Sequence, residues 1–149
     1  MTVATLRLDI STPSTALVRA DGVTAVRAED ESGAFGVLPG HADLMTVLPP
    51  SVVRWRNGAG ETHYCALRGG VLIVTGGARV SVACRHGVVG DDLDALEDKV
   101  RSMRADELEA ERIARVEQTR LHARAVRQIL RFLKPGHAPG PLPPHGNAP

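Results

Sequence analysis

Aromatic residues are scarce in this sequence, at 3% of 149 residues, although apolar residues make up 43%. A buried core must therefore be built mainly from Val, Leu, Ile and Ala. The length allows one domain of ordinary size and an appendage. The net charge is only +1, so no strong field predicts binding to nucleic acid or to an anionic membrane surface.

Cysteines and long apolar runs are also few. Cys65 and Cys84 are too few for a disulfide framework, and both lie in strand-like segments. We therefore expect buried free thiols and a reducing compartment. No apolar run approaches the roughly 20 residues of a membrane span, and the N-terminal MTVATLRLDI lacks the regions of a signal peptide. The sequence predicts a soluble protein.

Glycine and proline are absent between Asp91 and Lys134, but they are frequent on both sides of that segment. Nine of the fifteen residues from Pro135 onward are Pro or Gly. Such shifts in composition mark domain boundaries. They predict a β-rich domain over 1–89, a helical hairpin over 91–134 and a disordered tail over 135–149.

The first zone alternates with period two, as in Leu6, Leu8 and Ile10, which places one set of side chains inward. The expected strands lie near 6–10, 16–19, 22–28, 42–48, 51–56, 62–67, 70–74, 79–84 and 86–89. The expected turns lie at Asp21-Gly22, Pro49-Pro50, Asn57-Gly58, Gly69-Gly70 and Gly76-Gly77. Many short strands at this spacing predict an all-β sandwich or barrel. Of these two we expect a β-sandwich of about ten strands.

The second zone has apolar residues at helical spacing. Its first apolar face consists of Leu93, Leu96, Val100 and Met103. Asp91 or Asp92 can cap the start, and a break near 102–106 would let Asp106 cap a second, antiparallel helix. One uninterrupted helix is the alternative, because nothing in the segment forces a break. A second apolar set consists of Leu108, Ile113, Val116, Val126, Ile129, Leu130 and Leu133.

The stretch GAFGVLPGHADL, residues 33–44, is the most glycine-rich and could in principle hold a phosphate or a metal. A phosphate loop needs its glycines between a strand and a helix, whereas these lie between strands. The side chains that could converge on a metal are His41, His63, Cys65, Cys84 and His86. Their spacing fits no zinc motif, and no GxSxG motif marks a nucleophile. We therefore predict no catalytic residue, metal ligand or cofactor.

Three motifs in this order resemble a known family. They are GVLPGHADL at 36–44, RGGVLIV at 68–74 and Asp-Leu-Asp at 92–94. Over residues 3–134 the chain resembles the epsilon subunit of bacterial F-type ATP synthase. The resemblance implies a non-catalytic rotor subunit that couples the ring of c subunits to the gamma subunit. It also implies a location on the cytoplasmic face of the bacterial inner membrane, with contact to the membrane only through the Fo sector.

The same resemblance gives the glycine-rich stretch a role as a turn at the rotor surface rather than as a catalytic loop. The loop at 31–33 is implied to face the c ring. The implied interface residues for gamma and the c ring are Glu31, Ser32, Gly33, Gly36, Pro39, Gly40 and His41. For His41 a local hydrogen bond that stabilises the turn remains an equal alternative.

The second half of the helical zone carries a stripe of positively charged side chains, and it has no acidic residue beyond Glu117. The stripe consists of Arg120, Arg124, Arg127 and Arg131. The resemblance implies that this helix can contact an acidic segment of the beta subunit and inhibit ATP hydrolysis. In a folded-down state Ile129, Leu130 and Leu133 would then pack against the sandwich. A merely solvated helix face is the alternative.

The chain departs from the family at a nucleotide motif. Some members bind ATP through (I/L)-D-x-x-R-A, and here Glu97 and Asp98 replace the Arg-Ala pair. A carboxylate repels a phosphate that a guanidinium would hold. We therefore predict no ATP binding. The proline-rich tail and the compact helical region indicate a divergent member of the family, from a second, alternative synthase.

A second hypothesis comes from a different class of protein. The β-rich domain could be a cupin-type barrel enzyme that binds a metal or a small ligand, with its helices serving oligomerisation. Stoichiometric zinc, iron or manganese in the purified chain would favour that hypothesis over the rotor subunit.

Overall fold

The computed structural model describes residues 3–133, which form nine strands followed by one helix. The elements are β1 (Leu6–Ser11), β2 (Ala16–Asp30), β3 (Gly33–Val37), β4 (Leu44–Leu48), β5 (Ser51–Asn57), β6 (Thr62–Leu67), β7 (Gly70–Thr75), β8 (Arg79–Cys84), β9 (Gly87–Gly90) and α1 (Leu93–Phe132). The contacts divide the chain between Glu107 and Leu108. The predicted tail at 135–149 lies outside the described residues.

The strands form a β-sandwich in which β2 belongs to both layers. The hydrogen-bonded order is β4-β7-β8-β1-β2-β5-β6-β9, with β3 also paired to β2. The first half of β2 pairs with β1, and its second half pairs with β3 and β5. All strand pairs are antiparallel except β1 with β8. The predicted sandwich is confirmed, with nine strands where about ten were expected.

The expected turn at Asp21-Gly22 is wrong, because the chain continues through it as the single strand β2. Gly22 has a φ of 67°, which side chains other than glycine rarely adopt. The pairing register with β1 shifts here, between Leu6 and Leu8. The glycine therefore makes a bulge that bends the strand, which lets one strand serve both layers.

The glycine-rich stretch also differs from its expectation as a turn. Its first five residues, Gly33–Val37, form β3, which runs antiparallel to β2 from Val26↔Val37 to Asp30↔Gly33. Only residues 38–43 form the connection to β4. Glycine and alanine disfavour strands on their own, so it is the pairing with β2 that makes this segment a strand.

The core lies between the two layers and follows the predicted alternation. Leu6, Leu8 and Ile10 are at most 1% exposed, and Val80 and Val82 on the neighbouring strand are equally buried. Both layers contribute mainly aliphatic side chains, with Trp55 as the one buried aromatic residue among those described. The expectation of an aliphatic core is confirmed.

The start of α1 packs on the outer face of the layer that contains β5, β6 and β9. Leu96 and Val100 contact buried Ala66, with partly buried Val52, Tyr64 and Val88 around them. Met103 is also buried. The predicted apolar face of the first helical segment is therefore confirmed.

The helix begins where the sequence predicted a cap. Asp92 Oδ1 accepts hydrogen bonds from the backbone N–H of Asp94 at 3.1 Å and of Ala95 at 3.4 Å. These bonds satisfy donors that have no partner inside the helix. The predicted break is wrong, because α1 runs uninterrupted through 102–106 and Asp106 caps nothing. With neither glycine nor proline in the segment, no residue opposes a continuous helix.

Candidate functional site

The turn between β2 and β3 contains Glu31 and Ser32, both exposed. The Asp30 carboxylate accepts hydrogen bonds from the Ser32 N–H at 2.9 Å and from the Ser32 hydroxyl at 2.5 Å. The Thr46 hydroxyl on β4 donates to the same carboxylate at 2.8 Å. Hydrogen bonds from Ser32 and then Thr46 hold the pKa of Asp30 below its usual value. The turn is therefore fixed locally, and the Glu31 side chain is left in solvent.

The 38–43 connection is held against the turn between β7 and β8. The Gly40 N–H donates to the Gly77 carbonyl at 2.8 Å, and a Cβ on Gly77 would lie 2.7 Å from the Gly40 Cα. The Gly76 N–H donates to Asp43 Oδ1, also at 2.8 Å. Glycine at 77 is thus required for the close approach of two loops.

His41 is half-buried within this connection. Its Nδ1 lies 2.6 Å from the Ala42 carbonyl oxygen, which requires that Nδ1 carries the proton and donates. The His41 N–H also donates to the Leu38 carbonyl at 3.1 Å. The local hydrogen bond considered for His41 is present, and it leaves Nε2 as the ring nitrogen free to meet a partner.

The interface candidates fall into two segments, which lie at the two ends of β3. Glu31, Ser32 and Gly33 precede or begin the strand, whereas Pro39, Gly40 and His41 follow it. The intervening strand spans about 13 Å at 3.3 Å per residue. Gly36 lies between them on β3, opposite Arg27 of β2. The structure therefore brings these residues to one strand but not into one cluster.

An apolar face that the sequence interpretation missed lies on the outer side of β4 and β7. Met45 is 71% exposed and Val47 is 70% exposed. Their cross-strand partners are Ile73 and Val71, the first also exposed and the second half-buried. We call these four residues the apolar face. The available signal was that β4 carries large apolar side chains on both sides.

The four stripe arginines, at positions 120, 124, 127 and 131, lie in α1 and are all exposed. Their three- and four-residue spacing places them on one side of the helix. Ile129, Leu130 and Leu133 are also exposed, by 56% or more. This segment therefore carries a basic stripe together with apolar side chains that are not buried.

The carboxylates that replace the nucleotide motif have cationic partners. Glu97 lies 3.7 Å from Arg54 of β5, and Asp98 lies 3.3 Å from Arg101 one turn later. Arg104 completes this region, with its Nε donating to the Pro50 carbonyl at 2.8 Å. Glu97 and Arg104 attach the helix start to the sandwich, whereas the Asp98–Arg101 pair lies within the helix.

Residues 3–133 contain no group of three or more His, Cys, Asp or Glu side chains placed to hold a metal. Cys65 and Cys84 are buried and free, as the sequence predicted. Burial raises the pKa of Cys65 to about 12, so its thiol stays neutral. His63 stacks on Trp55 with the ring centroids 5.7 Å apart, and His86 is exposed.

No helix within the described range is both long and apolar enough to cross a bilayer. The long helix α1 fails on apolarity, because charged side chains recur along its whole length.

Comparison with known proteins identifies the family. The family described as ATP synthase, Delta/Epsilon chain, beta-sandwich domain matches residues 5–89. The chain belongs to the ATP synthase epsilon chain family. The expected resemblance is thereby confirmed, and membership makes the chain a non-catalytic subunit of an ATP synthase. None of the matches supports the cupin-type alternative.

Relatives extend the match beyond the sandwich. The ATP synthase epsilon chain 2 of Paraburkholderia xenovorans is 56% identical over 131 residues, which cover 88% of this chain and 94% of that protein. The ATP synthase epsilon chain 2 of Cereibacter sphaeroides is 48% identical over 135 residues, 91% of each. Both names denote a second epsilon chain, which supports the expectation of a divergent, alternative copy.

Among solved structures, a chain of the Euglena gracilis mitochondrial ATP synthase, in an OSCP/F1/c-ring assembly, shares the fold. The TM-score is 0.56 at 21% identity, over 69% of this chain and 66% of that chain. Sequence similarity to the relatives and similarity of fold to this structure therefore both support an architecture of a sandwich followed by a helix.

Proposed function

We propose that the chain is a central-stalk subunit of an F-type ATP synthase, where it couples rotation of the c ring to the gamma subunit. The observation that carries the proposal is the apolar face, present on a chain of the epsilon family. These four side chains form a contiguous apolar patch on the solvent side of two strands, and such patches often mark contacts with other proteins.

The apolar face is the proposed docking surface for gamma. Met45 and Val47 lie on β4, which is the edge strand of its sheet. An uncovered edge with apolar side chains favours association with another protein. Burial of Met45 and Val47 would contribute about 1.5–3 kcal/mol each before the cost of association is counted.

The turn at 31–32 and the 38–43 connection are the proposed contacts with the c ring. The first presents an exposed carboxylate on a turn that Asp30 holds in shape. The second presents His41 on a connection braced by Asp43. Both segments are ordered by their own hydrogen bonds, so docking would not require them to fold first.

The basic stripe is the proposed regulatory contact. The four arginines of α1 would meet an acidic segment of the beta subunit and inhibit ATP hydrolysis. A single exposed ion pair is worth about 0 to 1 kcal/mol, but four together at a partly desolvated interface could change a conformational equilibrium by roughly ten- to a hundredfold.

The proposed location is the cytoplasmic face of the bacterial inner membrane. The chain would be held there by its contacts within the assembly. The pumped ion, proton or sodium, is determined by other subunits. The names of the two relatives favour a second, alternative synthase as the host complex.

Copurification with gamma tests the main proposal. Met45→Ser/Val47→Ser removes the centre of the apolar face, and we expect loss of gamma from the purified complex. Val3→Ser/Val89→Ser is the matched control, because it also changes two exposed apolar residues. Equal recovery of gamma with both variants would contradict the proposal.

ATP hydrolysis tests the regulatory part separately. Replacement of all four stripe arginines by glutamine should relieve inhibition in the reconstituted complex. High salt should relieve it in the parent protein. Unchanged hydrolysis in both comparisons would mean that the arginines form only a solvated helix face.

A further inference from the structure

The start of α1 covers only part of the outer face of β2, β5 and β6. The covered part is apolar and includes Val52 and Ala66. Beside it lie three exposed arginines, Arg27, Arg54 and Arg56, next to half-buried Tyr64. We call these four residues the arginine shelf.

The strand register brings the shelf residues together. Arg27 of β2 lies directly opposite Arg54 of β5, and Arg54 in turn lies opposite Tyr64 of β6. Arg56 is two residues further along β5 and points to the same side. Like charges placed directly opposite each other destabilise a sheet. The arrangement is thus unfavourable for the isolated chain and becomes favourable when an anionic group binds.

Within residues 3–133, one carboxylate forms an ion pair with an arginine of the shelf. Glu97 lies 3.7 Å from Arg54, whereas neither Arg27 nor Arg56 forms an ion pair in that part of the chain. Glu29, the next outward residue on β2, lies 3.9 Å from Arg104. Two guanidinium groups on one side of the sheet are therefore available to an external partner.

The surface between these side chains is concave. Small Ala25 lies opposite Arg56, and Gly36 adds no side chain beside Arg27. The resulting depression has a volume of about 340 Å³ and is lined by Ala25, Trp55, Thr62 and the shelf residues. A volume of this size accommodates a few side chains of a partner rather than only one small ion.

We propose that the arginine shelf is a docking surface for an acidic segment of a partner protein. A guanidinium fork binds a carboxylate through two parallel hydrogen bonds, and Tyr64 adds a hydroxyl at the edge of the depression. The basic stripe of the same chain cannot be the occupant, because residues 118–133 contain no carboxylate. The shelf is separate from the apolar face, so this proposal does not depend on the proposed gamma contact.

Binding of a labelled hexaglutamate peptide tests the proposal in the full chain with all four stripe arginines replaced by glutamine, because the stripe would otherwise bind the same peptide. That chain is the parent in the comparisons below. We expect Arg27→Gln/Arg54→Gln/Arg56→Gln to weaken binding at low salt by about tenfold or more, which corresponds to 1.4 kcal/mol. The matched control is Arg19→Gln/Arg68→Gln/Arg85→Gln, which removes the same charge from exposed positions elsewhere. It should bind the peptide within about twofold of the parent, because removing these charges only weakens the long-range attraction between the chain and the peptide.

A second variant protects the test against misfolding. Arg27→Gln/Arg56→Gln leaves the Arg54–Glu97 ion pair intact and should still weaken binding severalfold. Equal weakening in the shelf and control variants would overturn the proposal. So would inorganic phosphate that displaces the peptide at lower concentration, which would indicate a small-anion site. Dimer formation by the parent that the shelf variant abolishes would instead assign the face to a second copy and also overturn it.

Discussion

The first turns of α1 and the remainder of the same helix share a conformation but differ in how they are held. Between Leu93 and Glu107, three apolar side chains are buried, and Glu97 and Arg104 contact the strands. Between Leu108 and Phe132 no residue is buried, and the large apolar side chains are 41% to 79% exposed.

The difference shows that helix formation and helix anchoring have separate causes here. The absence of glycine and proline allows one helix through both regions. Burial fixes only the first region, because most helical stability in proteins comes from a packed apolar face. The second region retains a basic stripe and exposed apolar side chains, which are the features that the proposed contact with another subunit would use.

The largest effect should come from removing one anchoring side chain. Leu96→Ala should lower the free energy of unfolding by about 2–4 kcal/mol, because it leaves a cavity against Ala66 and Gly90. Leu121→Ala is the matched change in the exposed region, and it should stay within about 0.5 kcal/mol. Urea denaturation followed by circular dichroism measures both. Similar losses would show that the two regions are anchored alike.

Shortening the chain should give the next largest effect. A chain that ends at Gly90 should still unfold cooperatively, since the sandwich has its own core. Its free energy of unfolding should fall by about 1–3 kcal/mol, because lost burial outweighs the entropy regained by the helix. A chain that ends at Glu107 should unfold like the full chain. An insoluble or molten Gly90 product would contradict the expected independence of the sandwich.

Two aspartates distinguish a single helix from a hairpin. Asp92→Ala should destabilise the chain by about 1 kcal/mol, because Asp92 caps α1. Asp106→Ala should be neutral or stabilising by a few tenths of a kcal/mol, since alanine is the better residue inside a helix. Thermal unfolding of the two variants measures the difference. If Asp106→Ala lowered the stability as much as Asp92→Ala does, the result would support the hairpin rather than the single helix.

The sequence was sufficient to predict the β-sandwich core, because alternation in β1 and β8 depends only on which side chains avoid water. It did not predict β3, because glycine and alanine disfavour strands and only the pairing with β2 overcomes that preference. The turn expected at Gly22 was wrong for a related reason. A glycine with positive φ serves a bulge as well as a turn, and only the partner strand decides between them.

The candidate sites were less predictable than the fold. Met45 and Val47 lie on a strand that carries large apolar side chains on both sides, and this pattern does not indicate which side is left uncovered. Arg27 and Arg54 are far apart in sequence and meet only through strand register. The basic stripe was visible in the sequence because a single helix places its residues by spacing alone.

The smallest expected effect concerns ATP. Glu97 lies in the anchored region and is paired with Arg54, while Asp98 is paired with Arg101. A phosphate at this position would face two carboxylates and would have to compete for their arginine partners. We therefore expect no saturable heat when ATP at millimolar concentration is titrated into the chain. Calorimetry that gives a micromolar dissociation constant would contradict this.

The substitution Glu97→Gln sharpens the test, because it removes one repulsive charge and releases Arg54. If only that variant binds ATP, the anchoring carboxylate is what excludes the nucleotide from the parent chain.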